Sequence, residues 1–181
     1  MREELDNLLC EKYPLMFVER HASEMDTCMC WGFACGDGWF NILNKLCANI
    51  QSHIDHKNRQ HARELAKQQA YNEGYEALVK FYQGKAASPS EWHEELAQST
   101  LEQGVIVPDK VEQVVVEQVK EKFGTLRFYY RGGDDYISGL VSMAESMTGV
   151  TCESCGNPGE QRGNGWIHTY CQMCEDQRNK E

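Results

Sequence analysis

Cys152-Glu153-Ser154-Cys155 and Cys171-Gln172-Met173-Cys174 are two Cys-x-x-Cys pairs with 15 residues between them. That spacing is a metal signature: each pair offers two thiolates from one tight turn, and the intervening loop has only to bring the turns together. Four thiolates surround one Zn2+ tetrahedrally and leave no open position for a substrate water, so the reading is a structural zinc held by Cys152, Cys155, Cys171 and Cys174 in a zinc ribbon or knuckle. The first turn continues Gly156-Asn157-Pro158-Gly159, where glycine supplies positive φ and proline fixes the exit of the chain. Before the second pair, Trp166-Ile167-His168-Thr169-Tyr170 reads as a short strand that packs over the site.

Working outward, a helix over Ile137, Leu140, Val141, Ala144 and Met147 feeds into this region without a linker, with Asp134 or Asp135 as its N-cap. Before it, Val114, Val115, Val116 and Val119 favour strand, and Leu126-Arg127-Phe128-Tyr129-Tyr130 alternates, so a β-hairpin turning at Phe123-Gly124-Thr125 is expected. A helix over 111–122 remains the alternative, since Val111, Val115, Val119 and Phe123 fall four apart. From Ser52 to Tyr82 sparse apolar positions predict one long helix, or two joined near Gly74, with a narrow buried stripe. Ser90 N-caps a further short helix. At the N-terminus, an amphipathic helix over 1–13 ends at Pro14, Gly36-Asp37-Gly38 reads as a tight turn, and Ile42, Leu43, Leu46, Cys47 and Ile50 predict the helix that follows. The expected fold is α+β in three parts: a Cys/Gly/Trp-rich segment over 1–50, a helical arm over 51–108, and hairpin, helix and zinc knuckle over 109–181.

The formal net charge is −10 over 181 residues, spread along the chain: residues 1–50 hold 8 acids against 4 bases, and residues 152–181 hold 5 against 3. A zinc site suggests nucleic acid, but phosphate binding usually needs a basic stripe, so the charge disfavours that partner. It suits a solvated surface, a basic protein partner or nucleic-acid mimicry. No apolar run approaches the roughly 20 residues of a membrane span. The polar start Met1-Arg2-Glu3-Glu4 is no signal peptide, and 9 cysteines, an odd count, point to a reducing cytoplasm.

Three segments together resemble a family of uncharacterised proteins of tailed phages and prophages: Cys30-Trp31-Gly32-Phe33-Ala34-Cys35-Gly36-Asp37-Gly38-Trp39-Phe40, then Gln118-Val119-Lys120-Glu121-Lys122-Phe123-Gly124-Thr125-Leu126-Arg127-Phe128-Tyr129-Tyr130, then Thr151 to Gly156 with Gly165-Trp166-Ile167 and Cys171. The resemblance covers most of the chain outside its helical middle. It implies a phage origin and a small protein of the host cytoplasm, and it implies no activity. Members vary at the last ligand position, where this chain has Cys174.

Four further constellations carry chemistry. Cys28, Cys30 and Cys35, with His21 or Cys47 as a fourth ligand, form a possible second metal set; the alternatives are burial as small apolar residues, or a redox pair of Cys30 and Cys35. His53, His56 and His61 lie on the long helix without the carboxylate of a metalloprotease motif, and are expected on an exposed polar face. Arg127, Tyr129 and Arg131 share one face of the hairpin, either as a clamp for a nucleotide or phosphate or as a solvated face paired with Glu117 and Glu121. Gly132-Gly133-Asp134-Asp135 reads as a turn and helix cap ahead of a cation site. No catalytic triad or phosphate-binding loop appears. The leading expectation is a non-enzymatic phage accessory protein that binds a host or phage protein, with a nucleic-acid or nucleotide module as the alternative and an anion-binding enzyme as a third class.

Overall fold

The computed structural model describes residues 1–180. Its elements are mixed α+β. Helix α1 (Glu3–Lys12) is followed by a short strand β1 (Phe33–Ala34), a long helix α2 (Phe40–Glu73), and helices α3 (Tyr75–Gln83) and α4 (Glu91–Gln103). The hairpin strands β2 (Val115–Lys122) and β3 (Thr125–Arg131) lead into α5 (Asp135–Thr148), the short strands β4 (Glu160–Arg162) and β5 (His168–Tyr170), and α6 (Gln172–Arg178).

The chain divides into two compact units, residues 1–54 with 112–181, and residues 55–111. The first unit contains a three-stranded sheet in the order β1-β2-β3. β1 runs parallel to β2, with Phe33 opposite Val119, and β2 pairs antiparallel with β3 through a bulge between Val116 and Gln118. The valine run is therefore strand, and the alternative helix over 111–122 is set aside. The physical reason is burial: Val114, Val116, Val119, Leu126 and Phe128 are buried together, a pattern that two facing strands satisfy. Phe123 and Gly124 form the turn with both φ angles positive (56° and 76°), the signature of the two-residue turns whose twist matches a hairpin. α5 closes the far edge of β3 with side chains. Thr148 Oγ1 accepts from the Leu126 N–H at 2.9 Å, and Glu145 Oε1 accepts from the Phe128 N–H at 2.9 Å. Asp134 caps α5 by accepting from the Ile137 N–H, as its sequence position implies.

An ion pair joins α1 to the loop after it. Arg20 meets the carboxylate of Asp6 twice, Nε to Oδ1 at 2.9 Å and Nη2 to Oδ2 at 3.2 Å, and it donates to the Cys30 carbonyl at 2.8 Å. Asp6 is 5% exposed and also accepts from the Phe33 N–H at 3.2 Å, which ties β1 to α1. The polar atoms of this cluster are mutually satisfied, the condition under which a buried charge pair is tolerated.

In the second unit, the α2–α3 break falls at Gly74 (φ 106°), and Ser90 caps α4 in a reciprocal box with His93. Leu78 and Ala97 are buried, and the Tyr82 hydroxyl meets Thr100 Oγ1 at 2.6 Å. The segment after α4 is held by Asn58, which exchanges two hydrogen bonds of 3.0 Å with the backbone of Val111, and by His61, whose Nδ1 lies 2.6 Å from the Pro108 carbonyl oxygen. No helix is long and apolar enough to cross a membrane among the described residues.

Arg20→Met keeps the aliphatic stem but leaves Asp6 without its charged partner. Breaking a buried pair on one side costs about 3–5 kcal/mol. Urea unfolding is expected to show an extrapolated free energy lowered by that amount, with a lower midpoint and an unchanged slope.

Candidate metal centre

Cys152, Cys155, Cys171 and Cys174 place their four Sγ atoms within 4.8 Å of one another, and among the described residues no other three ligating side chains converge in this way. Cys155 and Cys171 lie 3.7 Å apart, sulfur to sulfur. Four sulfurs about 2.3 Å from one Zn2+ sit about 3.8 Å from each other at tetrahedral angles, so the donor set and its spacing fit a tetrahedral thiolate site. A disulfide needs about 2.05 Å. Among the described residues no cysteine is joined in a disulfide.

Local structure builds each half. In the first turn Cys152 donates its N–H to the Asn157 carbonyl at 2.7 Å and accepts from the Gly156 N–H at 2.9 Å. In the second, Cys171 leaves the β5 strand and N-caps α6, which carries Cys174 into the site. The backbone amide of Cys174 directed at Cys171 pushes that thiol down to about 7, whereas burial pushes the Cys174 thiol up to about 12. The halves are joined by the Glu153 N–H, which donates to the Thr169 carbonyl at 2.8 Å. Cys152 and Cys174 are buried, whereas Cys155 is exposed and Cys171 half-exposed.

The centre is also held from outside. The turn at Gly36-Asp37-Gly38-Trp39 docks directly on the first Cys-x-x-Cys turn: the Gly38 N–H donates to the Glu153 carbonyl at 2.8 Å, the Gly36 N–H to Glu153 Oε1 at 2.9 Å, and the Trp39 indole N–H to the Thr151 carbonyl at 2.8 Å. A Cβ on Gly38 would lie 2.2 Å from the Cys152 carbonyl oxygen and 2.4 Å from the Gly156 nitrogen, so only glycine permits this approach. Burial holds the Glu153 carboxyl above its usual pKa, even with the Gly36 amide favouring the anion. Trp39 is fully buried, and about 150–250 Å2 of apolar area removed from water contributes on the order of 4–6 kcal/mol. On the other side, Thr169 Oγ1 donates to the Gly124 carbonyl at 2.5 Å and fixes the hairpin turn against β5. A cluster behind the second pair links His168 Nε2 to Glu175 Oε2 at 2.7 Å and Arg178 Nη1 to His168 Nδ1 at 2.7 Å; the His168 hydrogen bond holds Glu175 below its usual pKa.

The remaining candidates fall elsewhere. Cys28, Cys30 and Cys35 do not form a convergent ligand group. Cys28 is exposed, Cys30 donates its thiol to the Thr27 carbonyl at 3.1 Å, and burial pushes the Cys35 thiol up to about 12, against thiolate chemistry. Cys47 is buried on α2, likewise raised by burial. The histidine face expected on α2 is not uniformly exposed: His53 Nε2 meets Asp134 Oδ2 at 2.8 Å and stacks on Tyr136, with ring centres 4.4 Å apart, and His61 is bonded as described, while His56 is exposed. Arg127, Tyr129 and Arg131 do share a strand face, but Arg131 is neutralised by Glu19 and Glu117. Glu121 pairs with no arginine; it turns to the opposite face and accepts from the Gly124 N–H at 2.6 Å. Trp166, expected over the metal site, is 75% exposed.

Beside the first Cys-x-x-Cys turn, a cleft of about 600 Å3 is lined by Asp37, Phe40, Asn41, Ile42, Met147 and Cys155. Through Asn41, Ile42 and Met147 it continues into an apolar groove of about 320 Å3 between α2 and α5, with Leu46, Leu140 and Met143 on its walls. Comparison with known proteins finds no matching family model, no similar curated protein and no matching solved structure.

Two outcomes test the centre. Cys155→Ser is expected to lower bound metal from one ion per chain to none, measured by elemental analysis, and to unfold the first unit. The reason is magnitude: about 10–16 kcal/mol of metal-binding energy is comparable to, or larger than, a domain's net stability of about 5–15 kcal/mol. Gly38→Ala touches no ligand, yet it forces the docked turn away from Cys152. It is expected to hasten metal loss to a chelator several-fold, read by a colorimetric zinc assay.

Proposed function

We propose that the protein is a phage-encoded accessory protein, built around one structural zinc, that acts by binding a host or phage protein. The observation that carries this reading is the apolar groove beside the metal centre. Met143 (64% exposed) and Met147 (44% exposed) stand on α5 facing Ile42 of α2, with no covering element of the chain described over them. Two exposed methionines in one groove suit an adaptable apolar contact, because the unbranched thioether fits irregular partners. The occupant is the apolar face of an amphipathic helix of the partner, the mode that reads anchors at helical spacing in a groove between helices. Lys45 on the rim makes no ion pair among the described residues and suits an acidic residue bordering those anchors. A tetrahedral four-thiolate zinc has no open coordination position, so its chemistry here is to hold backbone in place.

The test is isolation of the tagged, metal-replete protein from host cells with nuclease treatment, beside the double variant Met143→Glu/Met147→Glu. Both side chains are exposed, so the variant is expected to keep its zinc and its circular dichroism. One stoichiometric protein that survives nuclease and is lost at least tenfold in the variant supports the reading. A partner indifferent to the variant, or no stoichiometric protein at all, overturns it.

A further inference from the structure

The outward face of the hairpin differs in charge from the rest of this acidic chain. Lys120 on β2 is the direct cross-strand partner of Arg127 on β3, and Lys122 pairs with Thr125 one step nearer the tip. Like charges placed directly opposite each other repel and destabilise a sheet. None of the three cations forms an ion pair among the described residues. Arg127 donates instead to Thr125 Oγ1 and to its own strand at the Leu126 carbonyl. The acid nearest in sequence, Glu121, lies on the other face with its carboxylate bound to the Gly124 N–H.

These cations are interleaved with exposed aromatic rings. Lys120 Nζ lies 5.2 Å from the centre of the Tyr129 ring, and Lys122 Nζ lies 5.4 Å from that of Phe123. Phe123 holds a left-handed backbone (φ 56°) at the first position of the turn, where asparagine, aspartate or glycine is favoured, and its ring is 63% exposed. A strained, solvent-facing aromatic gains nothing from folding, and such outliers concentrate at binding sites. At the hairpin tip Trp166 (75% exposed) lines a cleft of about 160 Å3 together with Lys122, Phe123 and Glu121, whose carboxylate is held by the Gly124 N–H. Ala34 of β1 stands opposite Lys120 on the third strand and is itself exposed, so the sheet face is not covered there.

We propose that this face, with Lys120, Lys122 and Arg127 as phosphate contacts and Tyr129, Phe123 and Trp166 as stacking platforms, binds single-stranded nucleic acid. Open aromatic faces beside unpaired cations on a sheet match the way such strands are held without base-edge readout. An acidic peptide would use the cations but has no need of three exposed rings. The acids gather at the opposite end of this face, where Arg131 pairs with Glu19 and Glu117, and where Tyr129 shares a cavity with Glu19, Glu24, Asp26 and Glu117. That acidic border directs the strand toward the tip and Trp166. The site is independent of the helical groove, so either proposal can fail without the other.

The experiment uses the full-length zinc-loaded protein and a fluorescent oligothymidylate of about 15 nucleotides, a length within the range of such surfaces. Anisotropy is read across a salt series, with unlabelled poly-glutamate as competitor. Three neutralised phosphates give a slope of log affinity against log salt of roughly −2, falling to roughly −0.7 in Lys120→Ala/Arg127→Ala. Phe123→Gly relieves the backbone strain, so it is expected to fold at least as well as the parent while binding roughly 5- to 150-fold more weakly, the effect of losing one stacked base. Absence of binding, binding that Phe123→Gly leaves unchanged, or displacement by poly-glutamate at equal charge concentration each overturns the proposal; the last would assign the face to an acidic protein segment.

Discussion

Backbone laid directly on backbone, where Gly36 to Trp39 meets Cys152 to Gly156, is the contact on which the first unit depends. Gly38 donates to the Glu153 carbonyl while its α-carbon sits against the Cys152 carbonyl and the Gly156 nitrogen, leaving no space for a side chain. The metal turn thus has an N-terminal wall more than one hundred residues away in sequence. Trp39, fully buried, anchors that wall through its indole N–H on Thr151. The second Cys-x-x-Cys turn completes the layer through Glu153 on Thr169, and Thr169 passes the connection to the hairpin turn at Gly124.

A metal held by the four cysteines would be a keystone for three separate stretches of chain. Four thiolates around one structural zinc would fix the two turns with about 10–16 kcal/mol of binding energy, more than side-chain burial in so small a layer supplies. The turns then fix the Gly-Asp-Gly-Trp segment and the hairpin tip. Above them, the sheet and α5 form a conventional apolar core of valines, Leu126, Phe128 and Ile137. The buried Asp6–Arg20 pair closes the other end, where Asp6 also reaches the β1 backbone at Phe33.

Much of this was legible because it is local. Metal-ligand spacing, the alternation of Leu126 to Tyr130, the caps at Ser90 and Asp134 and the helix break at Gly74 are each encoded within a few residues. What the sequence hides is long-range. Nothing near Gly38 announces that its missing side chain is needed for Cys152, and nothing near Asp6 announces Arg20. The two-residue β1 and three-residue β4 are too short to show a period. Helix α6 is masked by the metal motif that runs through it. His53 reads as one polar residue on a polar helix until the fold brings Asp134 and Tyr136 to it. Arg131 reads as an anion clamp or as a partner of Glu117 across the hairpin; the Glu117 pair forms, but its second partner, Glu19, is 112 residues away. The valine run was ambiguous between a period of two and a period of four, and only the burial of Val116 and Val119 against β3 decides it.

Amide hydrogen exchange with and without metal tests the account most directly. If the metal turns hold the N-terminal segment, removing the ion with a chelator is expected to abolish protection at Gly36 and Gly38 together with Cys152, Glu153 and Gly156, and to leave the amides that α3 and α4 bond within the second unit protected. Protection at Gly36 and Gly38 that persists in the metal-free protein, with Cys152 to Gly156 exchanging freely, would contradict it and show that the turn is held without the metal centre.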